Sequence, residues 1–63
     1  MNWELYEVWA EDQDGHQELV ETTNSLKQAR SLAYVSLELD DIDAVIICKE
    51  EGDEFIELER ITR

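Results

Sequence analysis

The chain has two glycines, Gly15 and Gly52, and no proline, which limits the places where it can turn back tightly on itself. Each glycine closes a short polar run, Gln13-Asp14-Gly15 or Glu50-Glu51-Gly52. Segments rich in β-branched and aromatic residues flank both runs: 3–12 and 16–22 around the first, 42–49 and 53–61 around the second. A three-residue loop with glycine in the left-handed region at its last position suits both, as a type I turn followed by a bulge. That geometry predicts Val8 opposite Val20 and Trp9 opposite Leu19 in the first hairpin. In the second it predicts Ile46 opposite Ile56, Ile47 opposite Phe55, and Lys49 opposite Asp53. Apolar side chains then meet apolar ones and charge meets counter-charge, whereas a two-residue Asp14-Gly15 turn would set Val8 against Glu21.

Between the hairpins, Ser25 followed three residues later by Gln28 matches a capping box. Leu26, Ala29, Leu32, Ala33, Ser36 and Leu37 then recur at helical spacing, so a helix is expected from Ser25 to Leu39, broken by Asp40-Asp41. The order is strand, strand, helix, strand, strand, with short joints. The expected fold is α+β: a four-stranded, mainly antiparallel sheet with one helix packed on one face, residues 1–63 forming a single compact acidic domain.

Alternation along the strands assigns Tyr6, Val8, Ala10, Val20, Ile42, Ala44, Ile46, Cys48, Ile56 and Leu58 to one face. The other face receives Trp3, Leu5, Trp9, Leu19, Val45, Ile47, Phe55 and Ile61. One helix covers one face, so the second apolar set is expected to meet a partner, to dimerise, or to be screened by Glu7, Glu21, Glu57 and Glu59.

Seventeen Asp and Glu against five Lys and Arg give the chain a net charge of −12. That charge opposes compaction through self-repulsion, so the acid belongs on the surface and its natural partner is basic. Direct nucleic-acid binding is excluded as an expectation because phosphates would be repelled, and anionic membranes would be repelled in the same way. No stretch approaches the roughly 20 apolar residues of a membrane span. A single cysteine cannot form an internal disulfide and fits a cytoplasmic setting.

No motif for catalysis or a cofactor stands out. Residues 10–21 partly match a calcium loop, with acids at its third, fifth, ninth and twelfth positions and Gly15 at the sixth. Ala10 supplies no carboxylate at the first position, however, Gln17 replaces the usual apolar residue, and the flanks alternate like strands. No metal is therefore expected. His16, the only histidine, stands beside a turn without a nucleophile or a ligand pattern around it. Cys48 lies among Val45, Ile46 and Ile47 and reads as an interior thiol, while Ser25 reads as a helix cap. A chain this short has little material for a water-excluding pocket, so enzyme activity is not expected.

Rows of carboxylates on strand faces and turns offer an anion lattice like that of duplex phosphates. In size and composition the chain resembles the small acidic DNA-mimic inhibitors that phages and mobile elements deploy against restriction or CRISPR complexes, a likeness to a functional class and not to a fold. The resemblance implies a protein partner with a basic, nucleic-acid-binding surface. It would be met by Glu11, Asp12, Asp14 and Glu18 at the first tip, Asp40, Asp41 and Asp43 after the helix, and Glu50, Glu51, Asp53 and Glu54 at the second tip. The alternative is a small homodimeric interaction module using the apolar face through Trp3, Leu5, Trp9, Leu19, Ile47 and Phe55.

Overall fold

A computed structural model describes residues 4–63, so Trp3 lies outside the described residues. The elements follow the expected order: β1 (Tyr6–Asp12), β2 (Gln17–Thr23), α1 (Leu26–Ser36), β3 (Ile42–Glu51) and β4 (Glu54–Thr62). The strands form one antiparallel-paired sheet in the order β2-β1-β3-β4. β2 and β3 therefore run parallel on either side of β1, and α1 carries the chain across between them.

The first turn forms as the sequence predicts. Gly15 N–H donates to Asp12 O at 3.1 Å, Asp12 N–H donates to His16 O at 3.0 Å, and Gly15 takes φ +85°. Asp12 Oδ1 further accepts the backbone N–H groups of Asp14 and His16, each at 2.9 Å, so this carboxylate organises its own loop. Trp9 lies opposite Leu19 as expected, but a bulge then leaves Val20 unopposed and sets Glu21, not Val20, against Val8.

The second hairpin departs from its expected register. Its loop has two residues, Gly52-Asp53, with Gly52 at φ +64° and Glu51 opposite Glu54. Glycine at the first loop position suits a tight turn whose twist matches the strands, and this outweighs the charge pairing of Lys49 with Asp53. Lys49 consequently meets Ile56, Glu50 meets Phe55, Ile46 meets Arg60 and Ile47 meets Glu59, with Leu58 bulged out between Ile47 and Cys48.

Helix α1 begins as the capping box predicts, with Gln28 N–H donating to Ser25 Oγ at 3.3 Å. The return half of the box runs through Thr23, whose hydroxyl donates to Gln28 Oε1 at 2.8 Å and accepts Ser25 N–H at 3.3 Å. The helix stops at Ser36, three residues before the expected end, because Glu38 N–H and Leu39 N–H turn back to Val35 O and Ser36 O. Arg63 then donates to the carbonyl of Leu37, the C-cap residue, and to that of Leu39, which also accepts Ile42 N–H.

Pairing of Val8 with Ile47 and of Ala10 with Val45 decides which faces meet. Tyr6 and Val8 share the helix-covered face with Val45 and Ile47, against Ala29 and Ala33. The expected faces are corrected accordingly: β1 alternates as read, and β3 is displaced by one residue relative to it over Ala44–Cys48. A bulge in each of β2, β3 and β4 breaks their alternation, bringing Glu21 opposite Val8, Ile42 onto the helix-side core, and Glu59 and Ile61 onto the face opposite to Phe55. Two fully buried alanines let α1 approach the sheet closely over Val8, Val45 and Ile47. Each of those three side chains contributes about 1.5–3 kcal/mol on burial.

The opposite face carries Glu7, Trp9 and Glu11 beside Cys48, Ile46 and Ala44. No helix lies over it, yet Ile46 is only 4% exposed and Ala44 only 3%. Arg60, next to Ile46 on β4, reaches Glu11 on β1 with Nη1 to Oε2 at 3.0 Å. Trp9 Nε1–H donates to Glu7 Oε1 at 3.1 Å, holding its ring down on the same face.

Candidate functional site

Antiparallel pairing sorts the acid into two groups. Asp12 pairs with Ile42, which brings the first hairpin tip beside the connection that leaves α1. Asp12, Gln13, Asp14, Asp40 and Asp41 line a cleft of about 400 Å³ there. A neighbouring cleft of about 450 Å³ runs over Ala10, Asp12, His16, Gln17, Glu18, Asp41 and Ile42. Tyr6 at the far end of β1 pairs with Lys49, so Glu50, Glu51, Asp53 and Glu54 project from the opposite end of a body 39 Å long. Two clusters that are separate in sequence, the first tip and the post-helix acids, are thus one surface. The third cluster stands apart from them.

Four of the five cations are engaged within the fold. Arg30 binds Glu59 from α1 to β4, and Arg60 binds Glu11 across β3. Lys49 Nζ lies 3.6 Å from both Glu4 and Glu51. Arg63 caps the helix end, and Lys27 makes no ion pair among the described residues. Arg60 N–H donation, then that of Gln17, holds the Glu11 carboxyl below the usual carboxylate range. Arg30 does the same for Glu59, and the Tyr6 hydroxyl followed by Lys49 does so for Glu4.

Of the eleven acidic positions expected to meet a partner, nine are exposed: Asp14, Glu18, Asp40, Asp41, Asp43, Glu50, Glu51, Asp53 and Glu54. Glu11 is half-buried beneath Arg60, and Asp12 is half-buried and taken up by its turn. Among the cationic partners, Lys49 with Glu51 was within reach of the sequence, since residues two apart share a strand face. The pairs of Arg30 with Glu59 and Arg60 with Glu11 were not, because they depend on strand order.

The expected apolar set does not form one patch. Ile47 is fully buried beneath the helix, a correction that follows from the displaced β3 register. Leu5 and Trp9 are half-buried, and Leu19 is exposed beside Trp9. Phe55 is exposed beside Glu50, four residues along β3 from Trp9's neighbour Ile46, or about 13 Å at strand rise.

Donor atoms of Asp12, Asp14 and His16 lie within 4.8 Å of one another at the first tip, with His16 Nδ1 3.5 Å from Asp12 Oδ2. Three side chains fall short of the six to eight oxygens that calcium takes. The partial calcium-loop match dissolves into a hairpin, with its twelfth position, Glu21, opposite Val8. Burial, reinforced by Glu7 and Glu57, pushes the half-buried Cys48 thiol up and disfavours its reactive thiolate. Among the described residues no helix is long and apolar enough to cross a membrane. The chain matches no protein-family model, no curated protein and no solved structure.

Proposed function

We propose that this is a non-enzymatic, cytoplasmic binding protein that occupies the basic, nucleic-acid-binding surface of a protein target, presenting carboxylates where DNA or RNA would present phosphates. One observation carries the reading: four of the five cations are engaged in ion pairs or caps within the fold, while Asp14, Glu18, Asp40, Asp41 and Asp43 near one end and Glu50, Asp53 and Glu54 at the other are exposed with no ion-pair partner among the described residues. A protein that used acid only for solubility would gain nothing from that segregation. Two negative ends on a 39 Å body steer toward a basic channel and hold it through many shallow ion pairs, none of them decisive alone.

Capture from the native host's lysate at low salt, followed by a salt gradient, tests the proposal. A nucleic-acid-binding protein should be retained, released by salt, and displaced by its own DNA or RNA. It should be lost when Asp14, Asp40 and Asp41 are changed to Asn, or when Glu50, Glu51, Asp53 and Glu54 are changed to Ala. A salt-insensitive partner without a basic surface would overturn it.

Exposed Leu19 and Phe55 favour a second reading, a homodimer through the open sheet face. Trp9→Asp or Phe55→Asp should abolish such a dimer, read as molar mass by light scattering, and should spare charge-driven capture.

A further inference from the structure

The three most exposed large apolar side chains of the described residues all lie at the end of α1: Tyr34 at 62%, Val35 at 64% and Leu39 at 58%. Beyond Ser36 the chain turns tightly, with Glu38 N–H donating to Val35 O and Leu39 N–H to Ser36 O, so Leu39 is held against the helix end and leads directly into Asp40 and Asp41 of the acidic cleft. Apolar side chains at a helix end are ordinarily folded back on the core, as Leu37 is here, packed against the buried cluster. Those at 34, 35 and 39 are instead left in water beside uncompensated charge. Arg63, the cation at this end, is held by the carbonyls of Leu37 and Leu39.

We infer that the Tyr34, Val35 and Leu39 surface, together with Asp40, Asp41 and Asp14, forms a two-part docking surface for an arginine- or lysine-rich segment that carries an aliphatic side chain among its cations. The inference rests on the proposed charge-mimicking role and adds to it the end that docks and the composition of what it meets. Charge complementarity selects the occupant. A second copy of this chain would bring −12 against −12, and a neutral apolar segment would leave the carboxylates unanswered. A basic segment with an aliphatic anchor satisfies both halves. The apolar contact supplies the discrimination that shallow ion pairs lack, since anchors buried at a contact carry most of its energy.

The test uses two synthetic peptides of equal length and charge: one of alternating arginine and glycine, the other with its central glycines replaced by leucine. Each is titrated into the full chain, with amide chemical shifts and Kd as readouts. The leucine peptide should bind about tenfold more tightly and shift the amides of Tyr34, Val35 and residues 39–41. Val35→Ser with Leu39→Ser, both at exposed positions that the fold tolerates, should erase the leucine advantage and leave arginine–glycine binding unchanged. Phe55→Ser should alter neither. Equal binding of the two peptides by the unaltered chain, or a leucine advantage lost through Phe55→Ser, overturns this inference and leaves the charge-mimicking reading standing. Failure of both peptides to bind at low salt overturns both.

Discussion

Arg60 on β4 and Glu11 on β1 join across the intervening β3, Nη1 to Oε2 at 3.0 Å, over a face where Ile46 and Ala44 are almost fully buried without a helix above them. The pair and the Trp9 ring do for this face what α1 does for the other. Loss of Arg60 would therefore remove aliphatic cover as well as charge.

Acid should act on this pair in a defined direction. Glu11 titrates below its ordinary range in the folded state, so its contribution is present above the unfolded value of about 4.3 and is lost as pH falls through the depressed folded value. Glu59 and Glu4 follow the same sign. Between pH 7 and 3 the urea midpoint of the unaltered chain should therefore lose ground relative to that of Glu11→Gln, a difference that leaves out the relief of repulsion common to both proteins. Parallel curves for the two proteins would show that the pair has no linked effect.

Salt should stabilise the fold and weaken its binding. With most of the cations already engaged within the fold and the remaining acid unpaired, sodium chloride between about 10 mM and 1 M shortens the screening length from roughly 30 to 3 Å and relieves repulsion at both ends. The Tm followed by circular dichroism should rise over that range, while capture of a basic partner falls.

Ile47→Ala should cost about 2–5 kcal/mol, enough to leave a domain of this size largely unfolded at 25 °C. Phe55→Ala, at 42% exposure, should cost far less. Urea unfolding of the two variants separates the placements directly, since side chains sharing one open face would give similar losses.

The N-cap supplies a local test. Ser25→Ala removes the acceptor for Gln28 N–H and should cost about 1 kcal/mol. Thr23→Val breaks both of the bonds that its hydroxyl makes to Ser25 and Gln28, and should cost a comparable amount. The two effects should be less than additive in a double-mutant cycle, because they share one network.

Neighbouring residues determined a good deal of this protein by themselves. The five elements and their order, the three-residue first turn, the Ser25 cap and the exposure of most of the acid all follow from turn chemistry, periodicity and charge acting over a few residues. The second turn shows the limit of local reading: Gly52 was identified, but its place in the loop shifted, and β4 moved against β3 with it. What only the tertiary structure decided depends on strands distant in sequence. Pairing of β1 with β3 placed Val45 and Ile47, not Ala44 and Ile46, beneath the helix, because a one-residue displacement exchanges every side chain between faces. The same pairing joined Asp12 and Asp14 to Asp40 and Asp41, and carried Arg60 to Glu11. Alternation fixes the two sides of an unbroken strand such as β1, whereas the bulges in β2, β3 and β4 and the choice of which sides meet are set only when the strands pair and pack.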